Sequence, residues 1–181
     1  NSCYGYMGNK NAPIGDDDIA SSVTLTGQAV IKYSNELIKE FLKNEVKDIT
    51  DRELEECVIY NDTDSSYISI SPLIEKGIVE FWDGDKVHEE TYDKIQEIED
   101  YLNEGISKWA EKAILTNNSR FVFKRECIAD VGVFLQKKRY VMHILDDEGI
   151  KENKFKYTGV EVVRTTMPNA IKPYAKKIIE T

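Results

Sequence analysis

Two long runs of apolar residues at three- and four-residue spacing set the terms for how this chain folds. In the first, from about Ile19 to Asn44, Ile19, Val23, Val30, Leu37, Ile38, Phe41 and Leu42 fall near one stripe. In the second, from about Thr91 to Leu115, the stripe is Tyr92, Ile95, Ile98, Leu102, Ile106, Trp109 and Ala113. Each predicts a helix with one buried face. Asp16, Asp17 and Asp18 precede the first, where acids favour the helix dipole, and Gly27 predicts an interruption or a close approach within it.

Between and after these stripes the period changes. Cys57–Tyr60 is a short apolar run, Asn61-Asp62-Thr63-Asp64 has turn chemistry, and Tyr67–Ser71 alternates apolar and polar residues until Pro72. This predicts a β-hairpin with an acidic tip. Further strands are predicted over 121–129, over Val133–Leu135, through Lys137-Lys138-Arg139 into Tyr140–Leu145, and near Phe155–Tyr157, with a turn at Asp146–Gly149. Residues 1–15, rich in Gly, Asn and Pro, read as irregular chain, and Met167-Pro168-Asn169 reads as the start of a terminal helix to Thr181. The fold class is α+β: an antiparallel sheet with helices packed on it.

Composition narrows the function. The 181 residues suit one domain, and 41% hydrophobic content supports a core. No apolar run reaches the roughly 18 residues of a membrane span, and the N-terminus has neither the basic nor the apolar part of a signal peptide. A cytoplasmic location is expected. The lack of an initiating Met suggests a chain cut from something larger, or processed. Cys3, Cys57 and Cys127 are scattered without metal-ligand spacing, which predicts free thiols, and His88 and His143 have no partner at such spacing. The net charge of −9 is unevenly spread. Residues 36–119 carry 22 acidic and 9 basic side chains, whereas 120–181 carry 13 basic and 8 acidic. A basic last third is compatible with one face meeting a phosphate backbone.

The candidate chemistry lies at the hairpin tip. Were the stretch extended, Asp62 and Asp64 would project to the same side. Two such carboxylates repel and suit a Mg²⁺ ion, which takes oxygen ligands and leaves positions for phosphate. A turn in which Asp side chains cap their own backbone is the alternative.

Asp62-Thr63-Asp64-Ser65, following a strand that ends in Tyr60, resembles motif C of the family B DNA polymerases, usually Tyr-Gly-Asp-Thr-Asp-Ser. Asn61 stands in place of the glycine, and asparagine tolerates left-handed backbone. Other stretches agree in order. Asn1-Ser2-Cys3-Tyr4-Gly5 resembles the end of motif B, and Gly8-Asn9 with Ala20–Gln28 resembles the segment that follows it. Lys124–Ala129 with Lys137-Lys138-Arg139-Tyr140 resembles the Lys-Lys-Arg-Tyr element that tracks new duplex, and Thr158–Arg164 the passage from palm to thumb. The basic motif and the Asp-Glu-Gly turn after it look most like the phage replicative, T-even type.

The resemblance implies template-directed DNA synthesis by two-metal nucleotidyl transfer, with Mg²⁺ as cofactor and primer–template DNA and deoxynucleoside triphosphates as partners. Asp62 and Asp64 would be catalytic and metal-binding. Asn1, Tyr4 and Gly5 would line the nascent base pair; Lys138, Tyr140 and Arg164 would contact DNA. Lys138 and Tyr140 are expected to share a strand face at period two. Residues 1–166 would be a partial palm, with the end of the fingers helix at 1–5, and 167–181 would begin the thumb. Motif A, its metal-binding aspartate and the fingers lysine are absent from these residues, so the chain alone is expected to be inactive. It would need the remaining polymerase segments in cis or in trans, and it would leave an open sheet edge prone to self-association. Alternatives are a non-catalytic DNA-binding or assembly remnant, or the C-terminal subunit of a split polymerase. A nucleotide cyclase would have no use for the basic and thumb-entry segments.

Overall fold

The computed structural model describes residues 2–9, 13, 15–114 and 120–180. They fall into two compact units, residues 1–123 and 124–181. The division lies within a few residues of the point where the sequence turns from acidic to basic. The α+β class holds, and among the described residues the strands are grouped in three small antiparallel sheets.

The first unit is built on two helices. α1 (Ser2–Met7) is short and replaces the irregular chain expected there. α2 (Asp17–Glu45) is continuous. Asp16 caps it by accepting from the backbone N–H groups of Asp18 and Ile19, and Asp17 and Asp18 lie in its first turn. Gly27 neither breaks this helix nor marks a close approach, since a Cβ there would meet nothing within 4 Å. The close approach occurs at Gly105 of α5 (Glu89–Ala113), where a Cβ would lie 2.5 Å from Leu37 Cδ1. α2 and α5 pack here, with Val30, Leu37, Ile38, Phe41, Leu42, Ile98, Leu102 and Ile106 in one buried cluster. Phe41 meets Tyr101 edge-on at 5.5 Å, and Tyr33 stacks on Trp109 at 6.0 Å. The N-terminal part of the α2 stripe does not join this core, and Ile19 and Val23 are about half exposed.

Between the two helices lie α3 (Asp51–Cys57), the strands β1 (Val58–Asp62) and β2 (Ser65–Ile68), α4 (Ser71–Glu75), and a small hairpin of β3 (Trp82–Asp83) and β4 (Lys86–Val87). A reciprocal capping box starts α3: Thr50 accepts from Glu53 N, and the Glu53 carboxylate accepts from Thr50 N. Cys57 ends this helix, fully buried, so its thiol is pushed up to about 11 by desolvation. Pro72 occupies the first turn of α4, where its missing N–H costs nothing, so the β2 strand stops at Ile68 rather than Ser71. His88 caps α5 by accepting from Glu90 N through Nδ1.

The predicted strand over 121–129 begins only at Cys127. Phe123 is bonded to a side chain instead: its N–H donates to Asn103 Oδ1 (2.7 Å) and its carbonyl accepts from Asn103 Nδ2 (2.9 Å). These backbone groups are therefore satisfied on α5 rather than on a neighbouring strand.

The second unit is a three-stranded meander, β5 (Cys127–Gln136), β6 (Arg139–Asp147) and β7 (Ile150–Thr158). Along β6 the buried residues alternate: Tyr140, Met142, Ile144 and Asp146. Asp146, 1% exposed, pairs with Arg125 and accepts from Gly149 N (2.9 Å), closing the β6–β7 turn. In that turn Glu148 and Gly149 have φ of 51° and 89°, the left-handed pair that suits a two-residue hairpin. A 3-10 turn at Glu161–Val163 leads to α6 (Lys172–Ile179). This helix is shorter than the predicted 167–181. Pro173 sits in its first turn; had the helix begun at Met167, that proline would have removed an interior hydrogen bond. Thr181 lies outside the described residues.

Candidate metal and nucleic-acid site

The acidic hairpin forms as expected. β1 and β2 pair antiparallel with Asn61 opposite Ser66 and Asp62 opposite Ser65, and the rings of Tyr60 and Tyr67 lie 5.6 Å apart. Thr63 and Asp64 form its two-residue connection.

The tip is not extended, however. Thr63 has a φ of 53° and Asp64 N donates to Asp62 O at 2.6 Å, so simple strand alternation does not place Asp62 and Asp64. Asp62 is the last residue of β1 and half-buried; Asp64 is exposed in the turn. Ser65 Oγ donates to Asp62 O (3.1 Å) and Thr63 Oγ1 to Asp62 Oδ1 (3.2 Å). The left-handed residue is therefore Thr63. Asn61, standing where motif C usually has glycine, lies in the β1 strand, and its Oδ1 accepts from Ser66 Oγ at 2.7 Å. Its tolerance of left-handed backbone is not what preserves this turn.

Two carboxylates suit Mg²⁺, which commonly takes one or two from protein and the rest of its shell from water and phosphate. Among the described residues no three or more His, Cys, Asp or Glu side chains form a group able to hold a metal ion. A cleft of about 650 Å³ in the hairpin's unit is lined by Lys32, Tyr33, Asn35, Glu36, Lys39 and Glu55, among others, and does not include either aspartate.

Asn1 lies outside the described residues. Tyr4 and Gly5 fall within α1, with nothing described of the Tyr4 side chain.

The basic motif sits at the β5–β6 turn of the second unit. Gln136 pairs with Arg139, which leaves Lys137 and Lys138 as the connection, and Lys138 has a φ of 60°. Lys138 and Tyr140 therefore do not share a strand face, because Lys138 is a turn residue. Tyr140 is 6% exposed and its ring lies 5.3 Å from that of Phe134. Gly159 (φ 61°) packs against this turn, and Arg164 Nε donates to its carbonyl at 3.1 Å. Arg139 Nε donates to the same oxygen at 3.2 Å. Sequence spacing places Lys138 and Arg164 far apart, and it gave Arg139 no role. The glycine at 159 was the available signal, since close backbone approach demands the smallest residue.

The chain belongs to DNA polymerase family B, the family that residues 1–99, the acidic β1–β2 hairpin among them, match. The similarity extends beyond those residues. The chain is 29% identical to the DNA-directed DNA polymerase of Escherichia phage RB69 over 99% of its length, and 29% identical to that of Enterobacteria phage T4 over 94%. It covers 21% and 20% of those two proteins, so it spans about a fifth of the length of the curated relatives it matches. No helix among the described residues is long and apolar enough to cross a membrane.

Proposed function

We propose that this chain supplies the motif C share of a Mg²⁺-dependent DNA-directed DNA polymerase of the phage replicative type. The observation that carries this reading is the β1–β2 hairpin, which presents Asp62 at the strand end and Asp64 in the turn within a family B sequence. When bound, Mg²⁺ would activate the attacking hydroxyl and stabilise the leaving pyrophosphate. Asp62, held by the strand pairing and by Thr63, would be the fixed ligand, and Asp64 its solvent-facing partner. Asn1, Tyr4 and Gly5 would lie beside the incoming nucleotide. Lys138 and Arg164 would contact primer–template phosphates; Tyr140, buried against Phe134, would support the basic turn by packing. Residues 1–166 would be partial palm and 167–181 the entry to the thumb. A site of two carboxylates needs the motif A aspartate and the fingers lysine from other polymerase segments, so the 181-residue chain by itself would not polymerise. Action in the host cytoplasm follows from the same reading.

The metal assignment is tested by titrating the chain with Mn²⁺ while following backbone amide signals. Broadening centred on residues 61–65, lost in Asp62→Asn, supports it. Uniform weak broadening across the acidic first unit, unchanged in Asp62→Asn, would contradict it.

A further inference from the structure

The basic turn contains an arrangement that its DNA-contact role does not by itself require. Arg139 and Arg164 grip the same two acceptors. Gly159 O accepts from the Nε of each, at 3.2 and 3.1 Å. Glu161 Oε1 accepts from Arg139 Nη2, and it forms an ion pair with Arg164 Nη1 at 3.2 Å. Two guanidinium groups, which repel, are thus held side by side by one backbone carbonyl and one carboxylate.

The two acceptors differ in permanence. Gly159 O belongs to the main chain and is fixed by the contact of Gly159 with the Lys138 carbonyl. The Glu161 side chain is 53% exposed, and an ion pair so exposed is weak. The arginine side chains are 27% and 46% exposed, so solvent reaches the pair. A DNA phosphodiester carries one negative charge, as Glu161 does, and offers it on two oxygens of the kind that guanidinium forks bind, with further phosphates on either side along the strand. Lys137 and Lys138 adjoin the same turn.

We propose that Arg139 and Arg164 form one phosphodiester site and that Glu161 occupies it in the DNA-free chain as an internal stand-in, exchanging with a backbone phosphate when duplex binds. This rests on the proposal that the basic turn meets primer–template DNA, and adds Arg139 as a contact and Glu161 as its gate. Gly159 O keeps both guanidinium groups oriented while the anion changes, so the site needs no rebuilding on binding.

The test is fluorescence anisotropy of the full chain with a labelled primer–template duplex across a salt series. Circular dichroism melting checks that each variant is folded. Glu148→Gln, an exposed turn residue at the opposite end of β6, controls for the lost negative charge. Glu161→Gln should bind about five-fold more tightly than Glu148→Gln, the scale of an exposed ion pair. Arg139→Gln should flatten the salt dependence by about one unit of slope, and Arg139→Gln/Glu161→Gln should lose the gain. Arg139→Lys/Glu161→Gln, which keeps the charge at 139 but not the fork, should keep the slope and lose the gain. Equal binding by Glu161→Gln and Glu148→Gln, or a gain that survives Arg139→Gln, would overturn the gate while leaving DNA contact intact. No binding by the unmodified chain would overturn the DNA reading and the gate together. A parallel titration with inorganic phosphate separates sources: displacement of Glu161 by phosphate as readily as by duplex would overturn the phosphodiester assignment.

Discussion

Gly159 lies so close to Lys138 that a Cβ built on it would sit 2.0 Å from the Lys138 carbonyl oxygen. With φ at 61°, the residue also adopts backbone that favours glycine. This contact places the 159–164 segment on the β5–β6 turn and so gathers the basic residues. Gly159→Ala should destabilise the second unit by about 2–4 kcal/mol, from left-handed strain plus overpacking, and should weaken duplex binding. Urea denaturation followed by circular dichroism measures the first effect, and unchanged stability would contradict the contact.

Gly27 has the opposite character. It lies mid-helix with open space around its missing Cβ and no positive φ. Gly27→Ala should therefore stabilise the first unit by about 0.8–1 kcal/mol through helix propensity alone. A loss of stability on denaturation would restore the close packing that sequence suggested there.

The hairpin tip separates two residues that motif comparison treats together. Thr63, β-branched and left-handed, should accept glycine with a gain of up to about 1 kcal/mol, reduced by the lost bond to Asp62. Asn61→Gly restores the usual motif C residue, yet it removes the acceptor for Ser66 Oγ and loosens a strand position. It should cost about 1 kcal/mol. Thermal melts of the two variants should move in different directions, and a stabilising Asn61→Gly would refute the assignment of strain to Thr63.

His143 links the three strands of the meander. Its Nε2 lies 2.7 Å from Asn153 Oδ1 on β7 and its Nδ1 2.7 Å from Asp130 Oδ1 on β5, with Phe155 stacked at 4.7 Å. An oxygen at each nitrogen is fully satisfied by the imidazolium, so these bonds, that to Asn153 foremost, raise its pKa above the usual 6.5. The stabilisation is then fully present below 6.5 and is lost as pH rises through the raised folded value. Denaturation midpoints of the chain should fall from mildly acidic to mildly alkaline pH, and His143→Gln should flatten that fall.

Some of this was legible in the residues. The α2 and α5 stripes were, because a 29-residue and a 25-residue helix leave their period plainly written. The acidic hairpin was too, because turn residues separate two apolar runs. α3 had a visible signal, the capping box from Thr50 to Glu53, which a search for apolar stripes passes over in so short a helix. The fate of 121–126 had none: its β-like pattern is overridden by Asn103, twenty residues away. At the candidate site, residue types pointed to Asp62 and Asp64, but alternation does not apply to them because Thr63 turns the chain. For Lys138 and Tyr140 period-two reasoning was carried through a turn, where backbone handedness decides the side-chain direction.

Primer extension bears most directly on the central claim. The chain would be mixed with a polypeptide carrying the motif A and fingers segments of a family B polymerase, together with Mg²⁺, a primed template and deoxynucleoside triphosphates. The account predicts no synthesis by the chain alone, synthesis by the mixture, and loss of that synthesis in Asp62→Ala and in Asp64→Ala. Synthesis that persists at full rate in either aspartate variant would contradict it.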